Sequence, residues 1–287
     1  MATQKDRQRR DIERFIEKMP SLSTTVGKVM EICSRTDASP NELNKVISLD
    51  PVLTGQVLKL INSAYYSLVN TVTSLTRAIT MLGMNTVKNM ALSTAIIRTV
   101  SGVKKSKALP TAKFWAHSIG AGVSAKLLGE AKGLSVMERE ELFLGGLLHD
   151  LGKVPFGDEY IEALNIAKYE QLPLKDVEVD VLGIGHQEVG LMIADKWKLN
   201  KVITRCIGFH HETNDIIKGE SSQQLALVAL GNIYTNILDH GNGGDPFPAV
   251  DDIDLLLKSV GLTWKEYGGI GQRVTEEIQK AEIFLKI

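Results

Sequence analysis

SVMEREELFLGGLLHDLGK, residues 135–153, reads as a single amphipathic helix, and that reading decides the fold. Ser135 and Glu138 stand three apart, the spacing of a capping box, in which each side chain satisfies a backbone N–H left unpaired at a helix start. Leu142, Leu144, Leu147, Leu148 and Leu151 supply a buried face. The run then ends in His149, Asp150 and Lys153. Ionisable groups at the end of an apolar segment are costly to bury unless something pairs with them. Lys153, one turn beyond the histidine and aspartate, is expected to reach the mouth of any pocket and to stay outside the core.

Outward from this helix, apolar residues recur at spacings of three and four almost everywhere, and bounded alternating stretches are absent. The spacing predicts an all-α fold, a multi-helix bundle. Towards the N-terminus, Ser39-Pro40 and Asp50-Pro51 open two helices with proline at the first helical position, where its missing N–H costs nothing. Leu53, Val57, Leu58 and Ile61 form an inward stripe on the second of these. Another helix starts at Ser74 and ends at Gly83, and TVKNMALSTAIIRTV, residues 86–100, continues as a third. Asn62-Ser63-Ala64-Tyr65-Tyr66 reads as a helix end with turn residues and two packing tyrosines. GVKKSKALP, residues 102–110, breaks the pattern, and its KKSK run reads as solvated surface, as do Arg35 and Lys88. These signals divide the chain into an N-terminal helical subdomain over 1–105, a second helical subdomain over 106–240 and a C-terminal extension over 241–287. In the extension a loop over 239–250 leads into two or so helices. There Leu255, Leu256, Leu257, Val260 and Leu262 form an apolar face that needs covering by the same chain or by a second copy in a homodimer.

Composition limits the function classes. With 287 residues, 44% of them hydrophobic, the chain can bury a sizeable core. A formal net charge of -1 leaves no excess of positive charge for a polyanion, so nucleic acid is not an expected partner. Apolar runs stay short of the roughly 18 residues that suggest a membrane span. Cys33 and Cys206 are the only cysteines, and the N-terminus is charged without an apolar signal core, which suggests a cytoplasmic protein without structural disulfides.

Five of the six histidines lie between His117 and His211. His117 sits among small and apolar neighbours in FWAHSIGAGVSAKLLG, His186 at the start of GIGHQEVGLMIADKWKL, and His210 and His211 at the end of VITRCIGFHHE. His240 falls in the glycine-rich loop and reads as an exposed bystander. A lone buried histidine is more often a satisfied core residue than a ligand. Five with an adjacent aspartate suggest a transition-metal cluster of one or two ions between facing helices. Spacing alone leaves both readings standing.

The order His117, His149-Asp150, His186, His210-His211, with HDLGK and HHE, resembles the HD superfamily of metal-dependent phosphohydrolases. Within it the HD-GYP branch degrades cyclic di-GMP. The upstream segments DPVLTGQVLKLINSAYY and SLTRAITMLG resemble the HDOD domain, a regulatory relative, over roughly residues 15–240. The resemblance implies an HD-like bundle with an N-terminal helical subdomain. It also implies a site in which Asp150 bridges two ions, the five histidines complete the ligand set and Lys153 stands near a substrate phosphate, with Asp150 and Lys153 as the catalytic pair. Such a site generates hydroxide at neutral pH and stabilises charge on phosphoryl oxygens.

Three departures qualify this expectation. HETNDIIKGESSQQ runs straight to the next helix with no glycine-tyrosine-proline loop. The family's terminal aspartate ligand falls on Asn232, a neutral and weaker ligand. Lys113, four residues before His117, stands where some members carry an acidic residue. The expectation is therefore a signalling module, non-catalytic, with a retained divalent iron, manganese or zinc site occupied singly or in part. Signalling proteins are its expected partners, and a nucleotide or other phosphate its expected ligand. The alternative is a phosphohydrolase acting on a nucleotide or cyclic dinucleotide.

Overall fold

The computed structural model describes residues 4–35, 37–102, 106–218, 222–245 and 250–286, and among them it contains no strand. Lys104 and Lys105 of the KKSK run, and residues 246–249 of the predicted loop, lie outside the described residues. The helices are α1 (Gln4–Lys18), α2 (Thr24–Ser34), α3 (Pro40–Ser48), α4 (Pro51–Ile61), α5 (Leu75–Leu82) and α6 (Met84–Ser101). Next come α7 (Thr111–Ala131), α8 (Val136–Leu148), α9 (Tyr160–Glu170), α10 (Leu174–Leu182), α11 (His186–Lys196), α12 (Lys201–Phe209) and α13 (Thr213–Lys218). The chain closes with α14 (Ser222–Ile237), α15 (Val250–Val260), α16 (Trp264–Gly269) and α17 (Gly271–Ala281). Short 3₁₀ segments occupy Leu151–Glu159 and Glu282–Lys286. Two compact units result: Met1–Met19 with Val103–Val274, and Pro20–Gly102 with Thr275–Ile287.

In the second unit, Ser39 caps α3 in a full capping box with Glu42, and Asp50 caps α4 by accepting from Leu53 N at 2.9 Å. The α4 stripe is Leu53, Val57, Leu60 and Ile61, with Leu58 only half-buried. The reason is angular: Leu60 lies three residues from Val57 on the same face, whereas Leu58 is rotated by about 100° from it. Gly83 ends α5 at φ +83°, a conformation that glycine adopts without strain. Asn62 holds the following turn, donating to Val72 O at 2.8 Å and accepting from Val72 N at 2.7 Å. Tyr65 meets Tyr66 and Phe284 edge to face. Arg35 is exposed and ion-paired with Asp37 and Glu42.

In the unit that carries the histidines, α7 packs between α8 and α14, and the small residues allow it. A Cβ on Gly146 would lie 2.6 Å from Gly122 Cα, so the α7 and α8 backbones touch where side chains would hold them apart. At Gly152 a Cβ would meet His186 O at 1.8 Å, which brings the chain after α8 against the first residue of α11. The end of α8, the start of α11 and the inner face of α7 are thereby drawn together. α15 covers α14 with Leu256, Leu257 and Val260, while Leu255 stays 45% exposed. The unit's own core thus buries that face.

Two expectations about the second half of the chain are corrected. Residues 213–218 form the short α13 instead of running straight on, anchored by the buried Ile216. The tail holds three helices and a 3₁₀ turn, because Gly261 stops α15, a Thr263–Glu266 capping box starts α16, and the Gly268-Gly269 pair precedes α17.

Candidate metal centre

His117 projects inward from the middle of α7, and His149 and Asp150 lie just past the end of α8. His186 opens α11, His210 is the C-cap of α12, and His211 follows it. All converge on the Asp150 carboxylate. Its Oδ2 lies 3.5 Å from His117 Nε2 and 3.3 Å from His149 Nε2, while Oδ1 lies 3.6 Å from both His186 Nε2 and His210 Nε2. The donors form two sets able to hold a metal ion, Asp150 with His186, His210 and His211, and Asp150 with His117 and His149. Except for the half-buried His211, these side chains are buried.

The hydrogen bonds on the far side of each ring show what the near side offers. His149 Nδ1 faces Gly146 O at 2.6 Å, and His210 Nδ1 faces Cys206 O at 2.9 Å. His186 Nδ1 faces Glu178 Oε2 at 2.6 Å. Each partner is an acceptor, so Nδ1 carries the proton in all three rings and Nε2 keeps its lone pair. Those lone pairs point at a carboxylate and at one another; His186 Nε2 and His210 Nε2 are 3.3 Å apart. The His149 Nε2 and Asp150 Oδ1 atoms are buried without a hydrogen bond. Acceptors facing acceptors in a dry site repel unless a cation stands between them, and this donor set fits a divalent ion.

Burial pushes His117 and His210 down to about 3, and lowers His211 strongly as well, so these imidazoles are neutral at physiological pH. Burial also opposes the charge on Asp150, but the Lys153 ammonium against its Oδ2 helps hold the carboxyl well below its usual range. Lys153 is buried, contrary to the expectation of a residue at the pocket mouth. Its ammonium donates to Asp150 Oδ2 at 2.7 Å and to Gly243 O at 2.5 Å. The physical reason is that Asp150 needs a counter-charge, and the 3₁₀ turn after α8 returns the lysine to it.

Asn232 on α14 is buried, and its Oδ1 accepts from Asn236 at 3.2 Å. Lys113 is exposed, so its charge does not enter the cluster. His240 is half-buried, contrary to its reading as an exposed bystander, because its ring lies against Gly120. Three participants escaped the sequence reading. Glu178 orients His186 through both ring and backbone N–H, and the hydroxyl of buried Tyr160 donates to the same carboxylate. The available signal was an acid at the inward spacing Leu174, Glu178, Leu182. Asp245, from the loop after α14, lies 3.9 Å from His211 Nδ1 and carried no spacing signal.

An all-helical unit enclosing a histidine–aspartate cluster thus defines the molecule. The HDOD domain family matches residues 19–213, more than half of the chain, and the chain belongs to that family. The structure is similar to an HDOD domain protein from Geobacter sulfurreducens, with a TM-score of 0.78, 23% identity and coverage of 97% of this chain and 98% of that one. It is also similar to a candidate phosphohydrolase from Shewanella amazonensis SB2B, with a TM-score of 0.70, 20% identity and coverage of 96% and 98%. A candidate signal transduction protein from Marinobacter aquaeolei VT8 is similar at a TM-score of 0.69 and 17% identity, covering 98% of this chain and 66% of that one. By sequence the chain is 24% identical over 228 residues to an uncharacterized protein of Treponema pallidum, matching 78% of this chain but only 43% of that protein. No described helix is long and apolar enough to cross a membrane.

Proposed function

We propose that this chain is a cytoplasmic signalling module, non-catalytic, that has kept an HD-type metal site as a structural or sensing element. The observation that carries the metal reading is the lone-pair convergence on Asp150, three imidazoles with fixed tautomers facing a buried carboxylate. His186, His210 and His211 with Asp150 would hold one divalent ion, and His117 and His149 with Asp150 a second. Iron, manganese and zinc all accept such donors. When bound, such ions supply Lewis-acid stabilisation of phosphoryl oxygens.

The chain's own residues argue against turnover. Lys153, which a phosphoester would need as an electrostatic partner, is committed to Asp150 and Gly243. Asn232 brings an amide where the resemblance places a carboxylate, and α13 occupies the place of a glycine-tyrosine-proline loop. Signalling proteins are the partners this reading favours. A metal-dependent phosphohydrolase is the second reading, favoured by the two donor sets sharing one carboxylate.

Elemental analysis of the untagged protein, with Asp150→Ala alongside, tests the proposal. Near-stoichiometric metal in the wild type, lost in the variant, with no hydrolysis of cyclic dinucleotides or simple phosphoesters, is the expected result. Turnover abolished by Asp150→Ala would establish the second reading. Absence of metal from both proteins would overturn both.

A further inference from the structure

The terminal carboxylate that Asn232 lacks has a neighbour able to replace it. Asp245 stands thirteen positions further along the chain, in the loop that leaves α14. It shares with His210, His211 and Asn232 the lining of one cavity of about 120 Å³, beside the Asp150 cluster. Its Oδ2 lies 3.9 Å from His211 Nδ1, and its Oδ1 is buried without a hydrogen-bond partner. Ligand atoms sharing one ion through bonds of about 2.1 Å stand roughly 3–3.4 Å apart. The other atoms of this set, at 3.3 and 3.6 Å, already lie near that spacing, while the Asp245 carboxylate stands outside the set on its His211 side and joins it by an inward movement.

The loop is held in place by its own backbone. Gly243 O accepts from Lys153, Asn242 N donates to Lys113 O at 3.1 Å, and Gly244 N donates to Asn242 Oδ1 at 3.1 Å. Asp245 is therefore delivered to the His210-His211 side of the cluster by a pinned segment.

We infer that Asp245 is a ligand of the divalent-cation subsite formed by Asp150, His186, His210 and His211, supplying the carboxylate that Asn232 does not. This rests on the metal site proposed above and adds a loop residue to it. The charge lost at Asn232 is returned from outside the helix bundle. That subsite then carries two carboxylates and three imidazoles, a donor set suited to manganese or iron.

The test is calorimetric titration of the chelator-stripped 287-residue chain with Mn²⁺, comparing wild type, Asp245→Asn, Asp245→Ala and the double variant Asp245→Asn/Asn232→Asp. The expected result is two equivalents in the wild type and a second equivalent weakened at least tenfold in both single variants. In the double variant, restored affinity separates ligation from a packing role, because a loop that was merely disturbed would not be repaired by an acid on α14. Two equivalents bound with unchanged affinity by both single variants would overturn the role of Asp245 and leave the metal site standing. One equivalent in the wild type, indifferent to Asp245, would overturn it equally. No Mn²⁺ bound by the wild type would overturn the metal reading beneath it.

Discussion

Lys153 and Asp150 form a buried ion pair at the centre of a site lined by histidines, and the consequences can be argued at that one contact. A divalent ion held by Asp150, His117 and His149 would compete with the ammonium for Oδ2. Lys153→Gln removes the competitor, so the variant should bind Mn²⁺ more tightly than the wild type. The same change leaves a buried carboxylate unpaired in the metal-free protein, a loss of about 3–5 kcal/mol. Thermal unfolding with and without Mn²⁺ reads both effects; equal melting temperatures for variant and wild type in chelator would contradict the pairing. Glu178 acts one step further out. It fixes the His186 tautomer, so Glu178→Gln should weaken metal binding by roughly 10–100-fold while the helix content by circular dichroism holds. The protonation of the rings gives a third expectation. His117 and His210 are depressed to about 3, so between the ordinary 6.5 and that value the unfolded chain binds protons that the folded chain refuses. Stability is therefore complete above pH 6.5 and declines as pH falls, by on the order of 1.4 kcal/mol per pH unit for each such histidine. Denaturant titrations in chelator at pH 7.5 and pH 5 measure it, and a flat profile would mean the rings are not buried neutral.

At the scale of the elements, the helices were legible because their starts are chemically marked. Ser39, Asp50, Ser74 and Ser135 each cap the helix that the sequence places there. The candidate donors were legible in kind, since histidines at helix ends among apolar neighbours are conspicuous. Their partners were less so. Glu178 hides in an acidic, outwardly ordinary helix, and Asp245 in a loop with no period. Lys153 was misplaced because its turn is 3₁₀, tighter than the helix before it, and carries the side chain inward. What spacing could not show at all is how near the helices come. Gly122 and Gly146 set that distance between α7 and α8. Gly146→Ala would drive a methyl group to 2.6 Å from backbone atoms that cannot rotate away, so the helices must separate. A loss of at least 1–3 kcal/mol is expected on the scale of overpacked cores, with weakened metal binding as His149 retreats from His117. Chemical denaturation and metal titration of this variant check the two effects together, and unaltered stability would show that the backbones are not in contact.

For the whole molecule, the useful distinction is between the two compact units, because every candidate ligand belongs to the one formed by Met1–Met19 and Val103–Val274. An ion held there would join α7, the end of α8, the start of α11 and the end of α12, four segments whose separation unfolding requires. Binding to the folded state alone stabilises by about 2.7 kcal/mol at a free concentration one hundred times the dissociation constant. Pro20–Gly102 has its own core, built on Val29, Leu43, Ile47, Val57 and Leu60, and supplies no ligand. Hydrogen exchange followed by mass spectrometry, with Mn²⁺ and with chelator, should therefore show metal-dependent protection in peptides from 111–131, 142–153 and 186–211. Peptides from 24–61 and 84–101 should exchange at the same rate in both conditions. If the second group slows as much as the first, the metal is read by the entire chain, and the site is a sensor whose state reaches the Pro20–Gly102 unit. If only the first group slows, the ion is a local clamp, and any partner that responds to metal must bind the histidine-bearing unit itself.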